Sequence, residues 1–476
     1  MVKPLLHLLR TALNDSDERE SLPIGFVDDA SRLNQTRVAE VCSFSGVQDH
    51  PEEQLRTHLQ HARVSNLPLS IAGTRHTMGG QTFTPDGMIL DMLGLHEMQL
   101  DAQRNVLQVQ AGARWSDVLR YLHERERSIK VMQSNSSFSV GGSLSANCHG
   151  WQPMSPPISS TVVAFRLLLS DGTVIRCSRE EHAELFSLAL GGYGLFGILM
   201  DAELSVTANE CYRATRWVVP SAEYAAFYEE QTKQDAPIGL AYGRVNVEPD
   251  HFLREILLST YRVLPHRFLS PLSKPGLAGV RRLVFRGSIG NAYGKALRWK
   301  LEKRFGQIPL ASGVTRNHLL NEGVEVFQNR STASTDILQE YFVPPTQLEP
   351  FLERVRAIIP AHGADLLNLT IRFVAPDQES FLRYADQDLF ALVMLFNQPR
   401  TQQADQRMAG MTGELIDAAL ALGGRYYLPY RLHATIEQFY RAYPQAQQFF
   451  KLKRQYDPEE LFQNEWYRKY SAWSGN

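Results

Sequence analysis

The sequence predicts a two-domain α+β fold, and three features of the chain indicate it. Short apolar strands alternate with helices over residues 30–206. From residue 207 to residue 424 aromatic strands and longer helices follow, which indicates a second, inserted domain for the substrate. The aromatic segment 425–476 is expected to pack back on the first domain, and residues 1–29 are expected to form a helical extension. A chain of 476 residues with 43% apolar residues is long enough for two such cores.

The first domain is predicted from its periodicity and turns. Residues 106–111 alternate apolar and polar side chains, as a half-buried strand does, and Ser116 is expected to cap the helix that follows. Asp171-Gly172 is typical of a hairpin turn. The expected elements are a helix at 51–65, strands at 68–72 and 106–111, a helix from 116 to about 127, strands at 162–169 and 173–177, a helix at 181–190 and a strand at 198–206.

The second domain is predicted in the same way. Gly423-Gly424 is expected to end its last helix, because glycine readily takes the left-handed conformation found after helix C-termini. The expected elements are strands at 211–219, 241–247 and 338–343, a helix at about 347–361, strands at 366–374 and 390–396, and a helix at about 405–422.

Composition excludes several classes of protein. The net charge of −2 argues against a nucleic-acid-binding protein. No apolar run approaches the roughly 18 to 20 residues of a membrane span, and the leucines of residues 5–9 are too few for a secretory signal. The four cysteines have no metal-site spacing, so we expect free thiols in a reducing cytoplasm and no metal.

Two glycine-rich loops predict a bound dinucleotide. The strand ending at Ala72 runs into the loop 73–80, which carries His76, and a second loop spans 138–151. Such loops can direct several backbone N–H groups at a diphosphate. The His76 imidazole on the first loop could attack the ring edge of a bound flavin, although a loop histidine often only makes hydrogen bonds.

A third glycine motif, residues 192–197, matches G-x-G-x-x-G but in the wrong context. A helix precedes it and a strand follows, whereas the Rossmann fingerprint needs a strand, a turn and then a helix. We therefore expect these glycines to allow a close approach of the backbone to a cofactor or to a neighbouring strand.

Polar residues of both halves are candidates for catalysis. His149 can contact the cofactor or move a proton. Gln339, Glu340 and Arg372 lie in otherwise apolar strands, where a polar side chain either faces a cleft or simply faces solvent. A cluster around Pro429 suits either polyol recognition or packing between domains, and comprises Tyr426, Tyr427, Tyr430, Arg431 and His433.

Residues 251–306 form a basic segment with twelve lysines and arginines against Glu255 and Glu302. Three interpretations stay open: a solvated helical insertion, attraction of an anionic substrate, or a peripheral contact with a membrane through interspersed apolar residues. The membrane contact would use Phe252, Leu253, Ile256, Leu257, Leu258, Phe268, Leu269 and Leu272.

The two loops give the chain its resemblance to a known family. From about residue 34 to residue 470 it resembles the FAD-linked oxidases of the vanillyl-alcohol oxidase / p-cresol methylhydroxylase (PCMH-type) superfamily. The turn 73–77 is similar to the loop of alditol and aldonolactone oxidases whose histidine bonds to the flavin 8α-methyl group. The resemblance implies a PCMH-type FAD-binding fold, with His76 as the point of covalent attachment. The FAD contacts that it implies are Ala72, Gly73, Thr74, Arg75, His76, Thr77, Met78, Gly80, Gln81, Ser134, Ser139, Val140, Gly141, Gly142, Ser145, Ala146, Asn147, Cys148, Gly150, Gly197, Ile198 and Tyr427.

The C-terminal half is similar to decaprenylphosphoryl-ribose oxidase at residues 337–343, 423–431 and 443–458, with informative departures. Trp151 and Tyr430 stand where that enzyme has lysines, which argues against a phosphorylated-ribose substrate. The Glu-x-Arg pair of the alditol and aldonolactone enzymes is Thr370-x-Arg372 here. Cys148 lies too late in its loop for a second attachment, so at most one covalent bond to the flavin is expected.

The resemblance implies oxidation of an alcohol carbon of a sugar, polyol or related compound, with O₂ or another electron acceptor. His149, Tyr430 and Glu340 are the candidate bases in that order, and Arg372 would stabilise negative charge. Two alternatives remain. The sterol 24-reductases share the hairpin at Asp171-Gly172, which allows a reductase of a carbon–carbon double bond, and a non-catalytic lipid-surface flavoprotein is the other.

Overall fold

The computed structural model describes residues 22–44, 50–233, 237–265, 271–272, 278–306, 313–323 and 328–472, without the side chains of 278–281 and 305–306. Its fold is α+β, which confirms the predicted class. Of the predicted N-terminal helical extension, residues 1–21 lie outside the described residues.

The strands of the described residues, in chain order, are β1 Phe26–Val27, β2 Thr36–Arg37, β3 Glu40–Ser43, β4 Leu69–Ala72, β5 Met88–Asp91, β6 Met98–Asp101, β7 Val106–Gln110, β8 Arg127–Ile129, β9 Val162–Leu168, β10 Val174–Ser178, β11 Ile198–Ala208, β12 Cys211–Pro220, β13 Ile238–Val245, β14 Glu255–Val263, β15 Val314–Thr315, β16 Ser334–Val343, β17 Asp365–Val374, β18 Leu389–Pro399 and β19 Arg425–Tyr426.

The helices of the same residues are α1 Pro51–Val64, α2 Trp115–His123, α3 Val140–Ser145, α4 Ala183–Ala189, α5 Tyr224–Thr232, α6 Ala278–Arg286, α7 Ala292–Gly306, α8 Arg316–Leu320, α9 Leu348–Ala361, α10 Gln402–Leu420, α11 Ile436–Ala442, α12 Ala446–Tyr456 and α13 Glu465–Tyr470.

The first half of the chain forms a parallel sheet in the order β3-β5-β4 and an antiparallel sheet in the order β10-β9-β11-β7-β6, with β8 paired to β11. Proline begins α1, where its missing N–H costs no helix hydrogen bond. Leu55 and Leu59 of this helix share a buried core with Leu69 and Leu90 of the parallel sheet. Because the loop 73–80 follows β4 directly, this core holds the start of the loop in place.

The second half forms an eight-stranded antiparallel sheet in the order β15-β12-β14-β13-β17-β18-β16-β19. Its register aligns Arg244 with Thr370, Thr370 with Val393, and Val393 with Glu340. Side chains alternate along a strand, so this row of four lies on one face of the sheet, and Gln339 lies on the other. With neighbouring strands about 4.8 Å apart, the row spans roughly 14 Å.

The C-terminal segment is hydrogen-bonded to the first half of the chain. The Leu69 N–H donates to the Leu461 carbonyl at 2.7 Å, and the Gln463 N–H donates to the Leu69 carbonyl at 3.0 Å. The Trp466 N–H donates to the Gln81 carbonyl at 3.0 Å. These bonds attach residues 461–466, which lead into the last helix, to β4 and to Gln81, while the domain boundaries themselves stay a prediction.

One helix is shorter than the sequence predicts. The helix expected from Ser116 to about residue 127 is α2, which has Arg114 at its N-cap and ends at His123. Residues 127–129 instead form β8, which pairs with residues 206–208 of β11. Pairing with a distant strand therefore overrides the local preference for helix.

The described residues of the basic segment 251–306 contribute β14, α6 and α7, and several of them are buried in the fold. Leu253, Ile256 and Leu258 are fully buried, and Arg286 forms a buried ion pair with Asp336 at 2.6 Å. These apolar side chains therefore serve the core. Across the described ranges, no helix is long and apolar enough to cross a membrane. The residues Arg267, Phe268, Leu269 and Lys274, and the side chain of Arg281, lie outside the described residues.

Candidate active site

A cavity of about 940 Å³ lies between the two glycine loops and the face of the eight-stranded sheet that carries Glu340. It brings together most of the residues that the sequence predicts for the site. Those that line it are Ala72, Gly73, Thr74, Arg75, His76, Thr77, Met78, Ser134, Ser139, Gly141, Gly142, Ser145, Ala146, Cys148, His149, Gly197, Glu340, Arg372, Tyr427 and Tyr430.

Seven predicted residues do not line this cavity: Gly80, Gln81, Val140, Asn147, Gly150, Ile198 and Gln339. Val140 and Ile198 are fully buried in the core. The Asn147 amide donates to Asp377 at 2.8 Å and to Ser380 at 3.1 Å, so it ties the second loop to a neighbouring turn. The side chains of Val140, Ile198 and Asn147 therefore contact the protein interior and not the cavity.

The remaining four are also held elsewhere. Gly80 donates its N–H to Asp29 at 2.7 Å, and Gln81 is fully buried. At Gly150 a Cβ would lie 2.1 Å from the Met132 carbonyl oxygen, so tight packing requires glycine there. Gln339 faces away because strand side chains alternate, which places it opposite to Glu340.

The two glycine loops adjoin each other. The Ser139 N–H donates to Thr74 Oγ1 at 3.3 Å. A Cβ at Gly73 would lie 2.0 Å from Ser139 Oγ, and a Cβ at Gly141 would lie 2.8 Å from the Ala111 Cβ. Glycine at these two positions therefore permits a close approach of neighbouring parts of the chain.

The first loop offers a row of unused donors. The backbone N–H groups of residues 74–79 have no hydrogen-bond acceptor among the described residues, whereas the Gly80 N–H is bonded to Asp29. Backbone N–H groups in folded proteins are nearly always paired, so such a row is typical of a site that binds an acceptor-rich group. The volume also lies within the roughly 300–1,000 Å³ of cofactor and ligand sites. The cavity therefore suits FAD, with its diphosphate at this loop.

His76 carries a neutral imidazole at the wall of the cavity. Its ring stacks on Phe138 with 4.5 Å between the ring centroids and 20° between the planes. Burial, and then the positive charge of Arg114, lower the pKa of His76 to about 4. The imidazole is thus uncharged near neutral pH, with a ring-nitrogen lone pair available for bonding. By contrast, burial raises the pKa of the Cys148 thiol to about 11, so that thiol stays protonated.

On the opposite side of the cavity, Glu340 connects two other candidates. Its Oε1 lies 2.5 Å from His149 Nε2, and its Oε2 accepts a hydrogen bond from Tyr430 Oη at 3.1 Å. Glu340 and His149 are only 3% and 4% exposed, while Tyr430 is half-buried. Tyr430 is therefore the most accessible member of a chain of three groups that can exchange protons.

Both ring nitrogens of His149 face oxygen atoms, since Nδ1 lies 3.3 Å from the Gly150 carbonyl. A carbonyl oxygen only accepts, so Nδ1 carries a proton. The hydrogen bond between Nε2 and Glu340 Oε1 needs one further proton, which either His149 or Glu340 carries. With both nitrogens engaged, His149 is a poorer first base than the sequence suggests.

Aromatic side chains fix these groups in position. The Tyr427 hydroxyl donates to the Ala146 carbonyl at 2.9 Å, and the Tyr384 hydroxyl donates to the Asn147 carbonyl at 2.8 Å. The His149 ring makes edge contacts with Phe342 and Tyr384. The second loop is thereby attached to the sheet side of the cavity.

Burial sets the charge states of the two flanking residues. Burial, and then the neighbouring Glu340 carboxylate, raise the pKa of Tyr430 well above its usual range, so its hydroxyl stays protonated. Burial lowers the pKa of Arg372, which the charge of Glu340 opposes. The Arg372 guanidinium donates to Ser134 Oγ at 2.9 Å, so it connects the sheet to the segment that precedes the second loop.

The predicted cluster around Pro429 divides between the cavity and the core. Tyr427 and Tyr430 line the cavity, whereas Tyr426 is buried without lining it. Arg431 forms an ion pair with Asp405 at 2.8 Å. Burial, and then the charge of Arg431, lower the pKa of His433 to about 3. The last two residues are therefore structural.

Sequence reasoning misses several cavity residues. Asp29 supports the first loop through Gly80, and Tyr242, Arg244 and Asn368 line the cavity from β13 and β17. The available signal was the alternation of polar side chains along these strands, which shows that a face is polar but not what it faces. No group of three or more metal-ligating side chains occurs in the described part of the chain.

Two family models match the chain. The model of the FAD binding domain matches residues 47–178, which include both glycine loops. The model of D-arabinono-1,4-lactone oxidase matches residues 279–470, which include Glu340, Arg372 and Tyr430. The two matched regions thus contain residues from both sides of the cavity, while Tyr242 and Arg244 of β13 lie between them.

Curated relatives match about half of the chain or less. An uncharacterised oxidoreductase of the fasciation locus of Rhodococcoides fascians is 26% identical, over 46% of this chain and 48% of its own length. Cytokinin dehydrogenase 7 of Oryza sativa subsp. japonica is 27% identical, over 52% of this chain and 50% of its own length. Cytokinin dehydrogenase 2 of Arabidopsis thaliana is 28% identical, over 37% of this chain and 35% of its own length. The chain thus spans half the length of these relatives or less.

Proposed function

We propose, since the chain belongs to the vanillyl-alcohol oxidase / PCMH-type superfamily of FAD-linked oxidases and has FAD as its cofactor, that it oxidises an alcohol carbon of a small substrate to a carbonyl. Oxidation of a carbinol removes a hydride and a proton. FAD, when bound, supplies the acceptor for the hydride. The protein's own part is to bind the substrate, orient it and take the proton.

The single observation that carries this proposal is the buried Glu340 carboxylate bonded to both His149 and Tyr430 at the cavity wall. The substrate hydroxyl gives its proton to Tyr430 Oη while Tyr430 passes its own proton to Glu340 Oε2. His149, whose Nε2 bonds Glu340 Oε1, holds the carboxylate in place beside Tyr430, so it is a positioning residue. The accessible Tyr430 thereby connects the substrate to a base that is itself shielded from water.

Arg372 has an electrostatic role in this proposal. Its guanidinium lines the same cavity and stays charged, because arginine keeps its proton even when burial lowers its pKa. A fixed positive charge stabilises the partial negative charge that builds up on the substrate oxygen as its proton leaves. The hydrogen bond to Ser134 holds the guanidinium in place for this.

Covalent attachment of the flavin through His76 is the second part of the proposal. The neutral imidazole on the cofactor loop supports it, because attack on an electron-poor ring edge needs an uncharged nitrogen lone pair. The protonated Cys148 thiol supports a single bond only.

For the substrate we propose a sugar, polyol or related hydroxy compound, and the match to the D-arabinono-1,4-lactone oxidase model supports this class. The names of the plant relatives favour a second candidate, dehydrogenation of a cytokinin. The electron acceptor is O₂ or another oxidant. A cytoplasmic location and a membrane contact through 251–306 stay predictions, and the burial of Leu253, Ile256 and Leu258 speaks against the contact.

Anaerobic mixing of the FAD-loaded protein with substrates tests the proposal. D-arabinono-1,4-lactone, xylitol and a cytokinin are added separately, and the oxidised-flavin absorbance band is recorded. Bleaching by an alcohol or lactone supports oxidation of an alcohol carbon, and bleaching only by the cytokinin supports the second candidate. A flavin that NADPH reduces and an alkene reoxidises, while no alcohol bleaches it, would overturn both.

A further inference from the structure

Two arginines lie on the cavity side of the sheet beyond the proposed proton acceptor. Arg244 is the last residue of the cross-strand row that begins at Glu340. Thr370 belongs to that row, and Arg372 lies two residues further along β17 on the same face. Both arginines line the cavity. The side chains of Thr370 and Val393 separate Arg244 from Glu340, so the cavity has a carboxylate at one end of the row and a guanidinium at the other.

Both guanidinium groups donate hydrogen bonds to uncharged side chains. Arg244 donates through Nη1 to the Asn368 side-chain oxygen, and Arg372 donates to Ser134 Oγ at 2.9 Å. Among the described residues, neither arginine forms an ion pair with a carboxylate. The charges of Glu340 and Glu322 act on Arg372 only at longer range, and Glu340 already bonds His149 and Tyr430.

The positive charges of Arg244 and Arg372 are therefore not neutralised by an ion pair with a described carboxylate. Burial lowers the pKa of Arg372, and the positive charge of Arg244 acts in the same direction. Both arginines are half-buried, and a charge partly withdrawn from water is costly unless an opposite charge and hydrogen bonds accompany it. Guanidinium N–H groups match the oxygen pairs of carboxylate and phosphate, so an anion on the ligand would supply what the protein does not.

The wall beside Arg244 suits the rest of a sugar-like ligand. Tyr242 and Trp151 line the cavity, with 5.1 Å between their ring centroids. Aromatic faces pack against the C–H groups of a carbon chain. The Asn368 amide, which donates to Thr370 Oγ1 at 3.2 Å, and the Thr370 hydroxyl are polar neighbours suited to substrate hydroxyls.

We propose that Arg244 forms an anion subsite while Arg372 serves the reacting oxygen, and that the substrate is a short polyhydroxylated chain bearing a carboxylate or phosphate at the end remote from the carbon that is oxidised. This inference rests on the proposed function for the position of that carbon. It predicts that a sugar acid is preferred over its neutral lactone, which the name of the matched family model would not suggest.

The test uses the FAD-loaded protein and three probes that differ mainly in charge. D-arabinonate, the neutral D-arabinono-1,4-lactone and D-arabinose 5-phosphate are titrated anaerobically. Dissociation constants come from calorimetry and from the shift of the flavin spectrum, and bleaching is followed separately. The variants are Arg244→Met, Arg244→Lys and Arg213→Met. The last is the matched control, because Arg213 is exposed on β12 of the same sheet and does not line the cavity.

We expect the wild-type protein to bind an anionic probe more tightly than the lactone. Arg244→Met should weaken binding of the anion about ten- to a hundredfold and leave the lactone unchanged. Arg244→Lys should restore part of the loss, and Arg213→Met should change nothing. Tighter binding of D-arabinonate identifies a carboxylate as the anion, and tighter binding of the sugar phosphate identifies a phosphate.

Equal binding of acid, phosphate and lactone by the wild-type protein would overturn the subsite, as would equal losses for all three probes in Arg244→Met. The flavin content and unfolding temperature of each variant show whether it is folded. Charge-dependent binding without bleaching would reject the oxidation proposal but keep the subsite. Bleaching without any preference for a charged probe would keep the oxidation proposal but reject the subsite.

Discussion

The cofactor side and the sheet side of the cavity are built in different ways. The cofactor side consists of two short stretches of backbone, residues 73–80 and 138–151, each continuous in sequence. The sheet side consists of side chains from β13, β17, β18 and β16, brought together only by strand register. One side depends on the absence of side chains, and the other depends on particular side chains.

This difference suggests a division of labour. A backbone cradle can bind a constant group such as a diphosphate with little dependence on side-chain identity. A strand face can change its ligand through single substitutions while the main chain stays the same. We therefore expect changes in the loops to affect cofactor content, and changes on the sheet face to affect rate and substrate choice.

The largest effect on cofactor binding is expected for Gly141→Ala. The new Cβ would lie 2.8 Å from the Ala111 Cβ and 3.0 Å from its carbonyl oxygen, so the second loop must move. Overpacking of this kind costs about 1–3 kcal/mol, or roughly ten- to a hundredfold in affinity if the cofactor site bears it. Flavin content after purification measures the loss.

Gly413→Ala is the matched control for this prediction, because the nearest atom to its new Cβ lies 3.9 Å away and the residue is in α10. It should keep full flavin content. A Gly141→Ala protein with wild-type flavin content would show that the loop does not need the close approach.

Glu340→Gln should leave flavin content unchanged and slow anaerobic flavin reduction by about 10²–10⁴-fold, the usual contribution of a general base. The amide cannot take the proton that the carboxylate accepts through Tyr430. Stopped-flow absorbance gives the rate constant.

Gln339→Met changes the neighbouring residue on the opposite face of β16. It tests directly which face of the strand borders the cavity. Gln339 Nε2 is buried and has no hydrogen-bond partner among the described residues, so an apolar side chain of similar length should be tolerated and the rate should be unchanged. Equal losses in both variants would contradict the assignment of Glu340 to the cavity face.

Tyr430→Phe should have a smaller effect, about tenfold to a hundredfold on the same rate, because Glu340 could then receive the proton directly or through water. It removes one hydrogen bond of 3.1 Å and keeps the ring. A rate as low as that of Glu340→Gln would instead make Tyr430 the indispensable group.

The smallest effect on rate is expected for His76→Ala, which should change how the flavin is held. Acid precipitation should release the flavin from the variant and not from the wild-type protein. An exposed histidine gives the control, His96→Ala. Retention of acid-stable flavin in His76→Ala would disprove the attachment.

The lowered pKa of His76 gives the same experiment a pH dependence. The pKa falls from 6.5 to about 4, so the imidazole is neutral from about pH 5 to about pH 8, and attachment should not vary with this group there. Between pH 6.5 and about 4 the unfolded chain binds the proton more readily, so this histidine lowers stability of the flavin-free protein as pH falls. Thermal unfolding of wild type and His76→Ala across this range should differ in slope.

Much of the cofactor side could be predicted from sequence because its signal is local. A strand, glycines and a histidine within eleven residues indicate the first loop by themselves. Even there, residues such as Asn147 and Ile198 were expected at the cofactor, and the structure places their side chains in loop bonding and core packing. A motif shows where a loop lies but not which way each side chain points.

The sheet side could be predicted only in part. Glu340 and Gln339 are neighbours, and only knowledge of which face borders the cavity separates them. Arg244 and Thr370 are 126 residues apart in sequence and become partners through register alone. The order of the candidate bases likewise depended on distances, because both nitrogens of His149 have protein partners that the sequence does not show.

A crystal structure of the FAD-loaded protein tests the central claim most directly, namely that the glycine loops and the Glu340 face enclose one flavin. We predict density for the diphosphate at the backbone N–H groups of residues 74–79, with the flavin ring between His76 and the Glu340–Tyr430 pair. A flavin bound elsewhere, or one whose ring is separated from Glu340 by protein, would contradict the claim.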